Sequence, residues 1–126
     1  MALVEDNELL RPVLAKILKA GGHRVIDAAS GEELLAQLQD AFAGDDAAVI
    51  DLLIADVRLP GMSGRELVHH AAQRCDVRAT LYISDTPLHN VRAAAASRSG
   101  RSGFLRKPFG LRSFVDGVAA LMEGAA

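Results

Sequence analysis

Cysteine occurs once, as Cys75, which excludes an internal disulfide and fits a reducing compartment. Tryptophan is absent and Phe, Trp and Tyr together make up 4% of the chain, so the core must be built from Leu, Val, Ile and Ala. A basic excess is missing too. Fourteen Lys and Arg stand against sixteen Asp and Glu, a net charge of −2, which excludes a global attraction to nucleic acid or anionic membrane. No apolar stretch approaches the ~20 residues of a membrane span, and Met1 opens no signal peptide. The four histidines are scattered or surface-like, and no His/Cys spacing suits zinc. Internal repeats and linkers are also lacking. What remains is half apolar over 126 residues, enough for one domain over 1–126 with a real core. A soluble cytoplasmic domain is expected.

Apolar runs and helical periodicities alternate five times. Ala2-Leu3-Val4 is a short first strand. Leu10, Val13, Leu14, Ile17 and Leu18 then line one face of a helix, with Pro12 in or near its first turn and Gly21-Gly22 at its end. A second strand runs from Arg24 to Ala28. Ser30-Gly31-Glu32-Glu33 has the pattern of a capping box ahead of a stripe through Leu34, Leu35, Leu38 and Phe42. After a polar loop over 43–48, Leu52 to Ala55 is the central strand. Ser63-Gly64-Arg65-Glu66 repeats the capping pattern before a third helix. Thr80 to Ser84 is a fourth strand. Thr86-Pro87 reads as the start of an Ala-rich fourth helix, and Ser97 to Gly103 as a loop. Phe104 and Leu105 form a short fifth strand, and Leu111, Val115, Val118, Ala119 and Met122 one face of a last helix. Five strands alternating with five helices predict an α/β fold: a doubly wound, flavodoxin-like (βα)5 domain with a parallel five-stranded sheet of order 2-1-3-4-5.

In such a sheet, chemistry gathers at the carboxyl ends of the strands. Glu5 and Asp6 follow the first strand, Asp56 ends the third, Ser84 ends the fourth and Lys107 follows the fifth. Strands one and three are neighbours in the expected order, which sets Asp6 beside Asp56. Crowded carboxylates repel unless a cation compensates them. Hard oxygen donors without His or Cys point to Mg²⁺. Carboxylates, Mg²⁺, a lysine and a hydroxyl together suit phosphoryl transfer, and an aspartate can itself take the phosphoryl group as an acyl phosphate.

Four segments carry a resemblance: Leu-Val-Glu-Asp at 3–6, Asp-Val-Arg-Leu-Pro-Gly-Met-Ser-Gly at 56–64, Tyr-Ile-Ser at 82–84 and Phe-Leu-Arg-Lys-Pro-Phe at 104–109. In this order and spacing the chain resembles, over essentially its whole length, the receiver domain of two-component response regulators. The resemblance implies a signalling domain that catalyses only its own phosphorylation and dephosphorylation. Asp56 would be the phosphoacceptor. Asp6 and Asp56 would bind Mg²⁺ directly, with Glu5 acting mainly through water and the backbone carbonyl of Arg58 completing the set. Ser84 would be the switch hydroxyl, Phe104 the rotating aromatic and Lys107 the phosphoryl-binding lysine, its bond to Pro108 cis. Partners would be a histidine kinase or phosphotransfer protein and a downstream effector, with no direct contact to nucleic acid or membrane. The output face would comprise the fourth helix, fifth strand and fifth helix, where Arg92, Arg98, Arg101, Arg106 and Arg112 concentrate positive charge.

Three positions depart from the family pattern. Asp85 follows the switch serine where a small residue is usual, Phe104 lacks the hydroxyl of the commoner Tyr, and the Ser97–Gly103 segment replaces an Ala-Gly-Ala run. One alternative is a relay or sink receiver of a hybrid histidine kinase, with little conformational output. A haloacid-dehalogenase-like Mg²⁺ phosphatase would carry Asp where this chain has Arg58. A flavin-binding module would need a hydroxyl-rich phosphate loop after the first strand, where this chain has Glu5-Asp6, and aromatics to stack the ring.

Overall fold

A computed structural model describes residues 1–41, 48–85 and 101–123. Seven strands and four helices occur among them. In chain order these are β1 (Ala2–Val4), α1 (Leu10–Ala20), β2 (Ile26–Ala28), α2 (Gly31–Ala41), β3 (Val49–Ile50), β4 (Leu53–Asp56), α3 (Gly64–Ala72), β5 (Asp76–Val77), β6 (Ala79–Ser84), β7 (Arg101–Arg106) and α4 (Leu111–Glu123). The main sheet is parallel throughout, ordered β2-β1-β4-β6-β7. Counted among its five strands alone, that is the expected 2-1-3-4-5. The expected helix opening at Thr86-Pro87 and the 43–48 loop, save Ala48, lie outside the described residues.

Side-chain alternation along the strands separates two cores. Leu3, Leu52, Ile54, Leu81 and Ile83 point to the face covered by α1 and α4, where they meet Leu14, Leu18, Phe114 and Val118. Ala2, Val4, Leu53, Ala55 and Tyr82 point to the other face and meet Leu34 and Leu38 of α2 and Leu67, Val68 and Ala71 of α3. A strand buried on both faces reads as a continuous apolar run, and all six residues of β6 are buried.

Several boundaries differ from expectation. β2 is shorter than Arg24–Ala28, because its partner β1 begins at Ala2, opposite Ile26. The fifth strand is longer. Arg101, Ser102 and Gly103, expected as the end of a loop, pair with Ala79, Thr80 and Leu81. Ser and Gly suggest a loop by composition, yet Gly103 serves packing: a Cβ there would sit 3.2 Å from Leu121 Cδ1 of α4. β3 and β5 form a separate two-stranded parallel ribbon that periodicity did not signal, each being only two residues long. Both capping serines act as expected. Ser63 Oγ accepts from the Glu66 N–H at 3.1 Å while the Glu66 carboxylate accepts from the Ser63 N–H, a full capping box. Ser30 Oγ accepts from the Glu33 N–H at 3.1 Å, but the Glu33 carboxylate reaches one residue further back, to the Ala29 N–H at 2.9 Å.

Candidate functional site

Strand register assembles the site. Val4 lies opposite Ala55, and Asp56 opposite Ile83, so Glu5, Asp56 and Ser84 emerge at one sheet edge. Lys107 follows β7, and its N–H donates to the Ser84 carbonyl at 2.8 Å, extending the ladder one step. Glu5, Asp6 and Asp56 each bring a carboxylate oxygen to within 4.8 Å of the others. No histidine or cysteine joins this group among the described residues.

Lys107 links two of the three acids. Its Nζ donates to Asp56 Oδ2 at 2.7 Å and to Glu5 Oε1 at 3.0 Å. Asp56 Oδ1 accepts from the Arg58 N–H at 3.0 Å, which orients the second oxygen of that carboxylate. Glu5 is fully buried. Its Oε1 also accepts from the Asn7 N–H at 3.2 Å, whereas Oε2 has no hydrogen-bond partner among the described residues.

The charges respond to this burial. Desolvation raises the Glu5 carboxyl above its ordinary value, and the Lys107 hydrogen bond only partly offsets it. For Lys107, burial alone would lower the ammonium, but its bonds to Asp56 and Glu5 outweigh burial and raise it. A divalent cation fits such a site. The donors are hard oxygens, the negative charge exceeds what one lysine neutralises, and Glu5 Oε2 finds no partner among the described residues.

The other expected residues fall as follows. Ser84 is buried at the end of β6. Asp85 is exposed beside it and lies outside the acidic cluster. Phe104 is half-buried and stacks on Tyr82 across the β6–β7 pair, ring centroids 5.8 Å apart and 17° between planes. The Lys107–Pro108 bond is cis. Arg92 and Arg98 lie outside the described residues. Arg101 is half-buried and donates to the Leu121 carbonyl of α4, so it braces that helix, while Arg106 and Arg112 are exposed. Cys75 is half-buried beyond α3, donates to the Ala71 carbonyl, and has its thiol raised chiefly by desolvation.

Three further residues shape the site, of which Asn7 and Arg11 carry no motif. Asn7 caps α1: its Oδ1 accepts from the Leu9 and Leu10 N–H groups at 2.8 and 3.0 Å. An Asn just ahead of an apolar stripe is an ordinary capping signal, obscured here by the acids beside it. Arg11 donates to the Glu5 carbonyl at 3.0 Å. Gly64 lets α3 start against the end of β4, since a Cβ there would collide with the main chain of Asp56 and Val57.

A doubly wound parallel sheet with three acids and a lysine at its carboxyl edge defines the class: a flavodoxin-like α/β domain with an acidic cluster at the carboxyl ends of its strands. The chain matches the family described as the response regulator receiver domain over residues 1–119, and it belongs to that family. It is 35% identical over 118 residues to the response regulator protein FleR of Pseudomonas aeruginosa, covering 93% of this chain and 23% of FleR. It is 35% identical over 127 residues to the transcriptional activator protein ExaE of Pseudomonas putida, covering 98% of this chain and 55% of ExaE. The crystal structure of the receiver domain of the hybrid histidine kinase CckA superposes with a TM-score of 0.71 at 29% identity, covering 96% of each chain. The chain thus spans from about a quarter to about half of these two curated relatives' length. Its function is that of a phosphoacceptor receiver, a signalling role. No helix among the described residues is long and apolar enough to cross a membrane.

Proposed function

We propose that residues 1–126 form a cytoplasmic receiver domain in which Asp56 accepts a phosphoryl group from a phosphohistidine on a histidine kinase or phosphotransfer protein. An Asp56 carboxylate oxygen attacks phosphorus, the P–N bond breaks with its electron pair returning to nitrogen, and an acyl phosphate stays on Asp56 while the donor imidazole, already protonated on its other ring nitrogen, leaves neutral. Glu5, Asp6, Asp56 and the Arg58 carbonyl would hold Mg²⁺, which when bound supplies charge neutralisation to the group in transfer. Lys107 then exchanges its bond to Asp56 for one to a phosphoryl oxygen. The Ser84 hydroxyl donates to a second, and Phe104 follows the movement of Ser84. A face including β7 and α4 would carry the change to an effector.

One observation carries this reading: Lys107 bridges Asp56 and the buried Glu5 inside a three-carboxylate cluster. Such an arrangement leaves one cation position and one anion position side by side. The test uses beryllofluoride, which stands in for the phosphoryl group on Asp56. With Mg²⁺ it is expected to raise the melting temperature and to slow hydrogen exchange across residues 84–106. A raised melting temperature with unchanged exchange there would favour a relay or sink. No effect on either would refute the reading.

A further inference from the structure

We infer that Arg11 is a positioning residue for the cation site: by holding the Glu5 carbonyl it aims the Asp6 carboxylate into the cluster, and so sets the affinity for Mg²⁺. This rests on the receiver reading above. Three observations point to it. Arg11 Nη1 donates to the Glu5 main-chain oxygen at 3.0 Å, although its own side chain belongs to the first turn of α1. Its Nε lies 3.7 Å from Asp27 Oδ2 on β2, and only 18% of the side chain is exposed. Asp27 is itself tied back, its carbonyl accepting from Gln37 Nε2 of α2 at 3.1 Å. Arg11 therefore clamps the end of β1 between two fixed elements.

The consequence lies in the peptide unit. The Glu5 carbonyl and the Asp6 nitrogen share one rigid plane. Fixing the carbonyl direction fixes where the Asp6 Cα–Cβ bond starts. Asp6 is exposed, so packing does not orient its carboxylate, whereas Glu5 and Asp56 are buried and held by Lys107. The ligand most dependent on its backbone is the one Arg11 controls. Partners one step removed from a metal commonly set its affinity in this way.

Charge and geometry predict opposite signs here, which makes the test decisive. If Arg11 acted only as a cation near the site, removing it would tighten Mg²⁺ binding. If it aims Asp6, removal weakens binding. The measurement is calorimetric titration of the full chain with MgCl2, without any phosphodonor. Arg11→Ala is expected to raise Kd on the order of tenfold, with Arg11→Lys intermediate because an ammonium reaches one partner but not both. Arg78→Ala removes a cation paired instead with Asp51 and Asp76. Its Kd should equal the wild type's. An Arg11→Ala Kd unchanged or lower, with wild type binding normally, overturns this inference and leaves the receiver reading intact. Wild-type protein that binds no Mg²⁺ overturns both. Should Arg11→Ala fail to fold, Asp27→Asn takes its place. It frees the guanidinium from its anchor and is expected to weaken binding less than Arg11→Ala would, an unchanged Kd again counting against the clamp.

Discussion

Replacing Lys107 with Met removes the ammonium bonded to the buried Glu5 carboxylate and keeps the aliphatic stem. A broken buried ion pair leaves an uncompensated charge, but Glu5 has an escape: it can take a proton. That sets a ceiling on the Glu5 share of the loss. Neutralising a carboxyl of ordinary value 4.5 at pH 7 costs about 3.4 kcal/mol at about 1.36 kcal/mol per unit. At pH 5 the same ceiling falls to about 0.7 kcal/mol. The variant should therefore lose about 2–3 kcal/mol at pH 7 and about 1 kcal/mol or less at pH 5. The sign follows from linkage. The folded-state value of Glu5 lies above the unfolded one, so the folded protein holds the extra proton and gains stability as pH falls through that value. Lys107 in the wild type is raised above 10.5, so its contribution is complete throughout this window and adds no slope. Urea unfolding of both proteins at pH 5, 6 and 7, without Mg²⁺, measures the difference. A penalty equal at pH 5 and pH 7 would mean that lost packing, not buried charge, is what Lys107 prevents.

Other substitutions separate scaffold from chemistry. Asn7→Ala removes the α1 cap and should cost about 1 kcal/mol in the same unfolding assay, with the Asn7 N–H still present to hold Glu5 Oε1; no loss would mean that Leu9 and Leu10 find other acceptors. Gly64→Ala forces the Asp56 main chain away from α3 and should cost roughly 1–3 kcal/mol, together with slower phosphorylation; an unperturbed rate would show that the acceptor tolerates this shift. Asp85→Ala removes an exposed negative charge next to Ser84 and should accelerate phosphorylation by acetyl phosphate, an anion; an unchanged rate would place Asp85 outside the donor's path.

Much of this molecule was legible because parallel sheets turn chain order into spatial order. Once Leu52 to Ala55 is read as a buried strand, Asp56 must emerge at the edge where Glu5 and Ser84 also emerge. The acidic cluster follows from the strand order. Less legible were features decided by single contacts. Arg101 looks like surface charge in a polar segment, yet its guanidinium is spent on the Leu121 carbonyl. Gly103 looks like a loop residue, yet it gives α4 room to approach β7. The ribbon of β3 and β5 is too short for a period of two to register. Arg11 is hard to read because its partner is the main chain of Glu5, and backbone partners leave no trace in side-chain patterns.

The most direct measurement of the central claim is the intact mass of the protein after incubation with acetyl phosphate and Mg²⁺. One added phosphoryl group is expected on the wild type, lost when EDTA replaces Mg²⁺ and absent from Asp56→Asn. An adduct of equal yield on Asp56→Asn would contradict it.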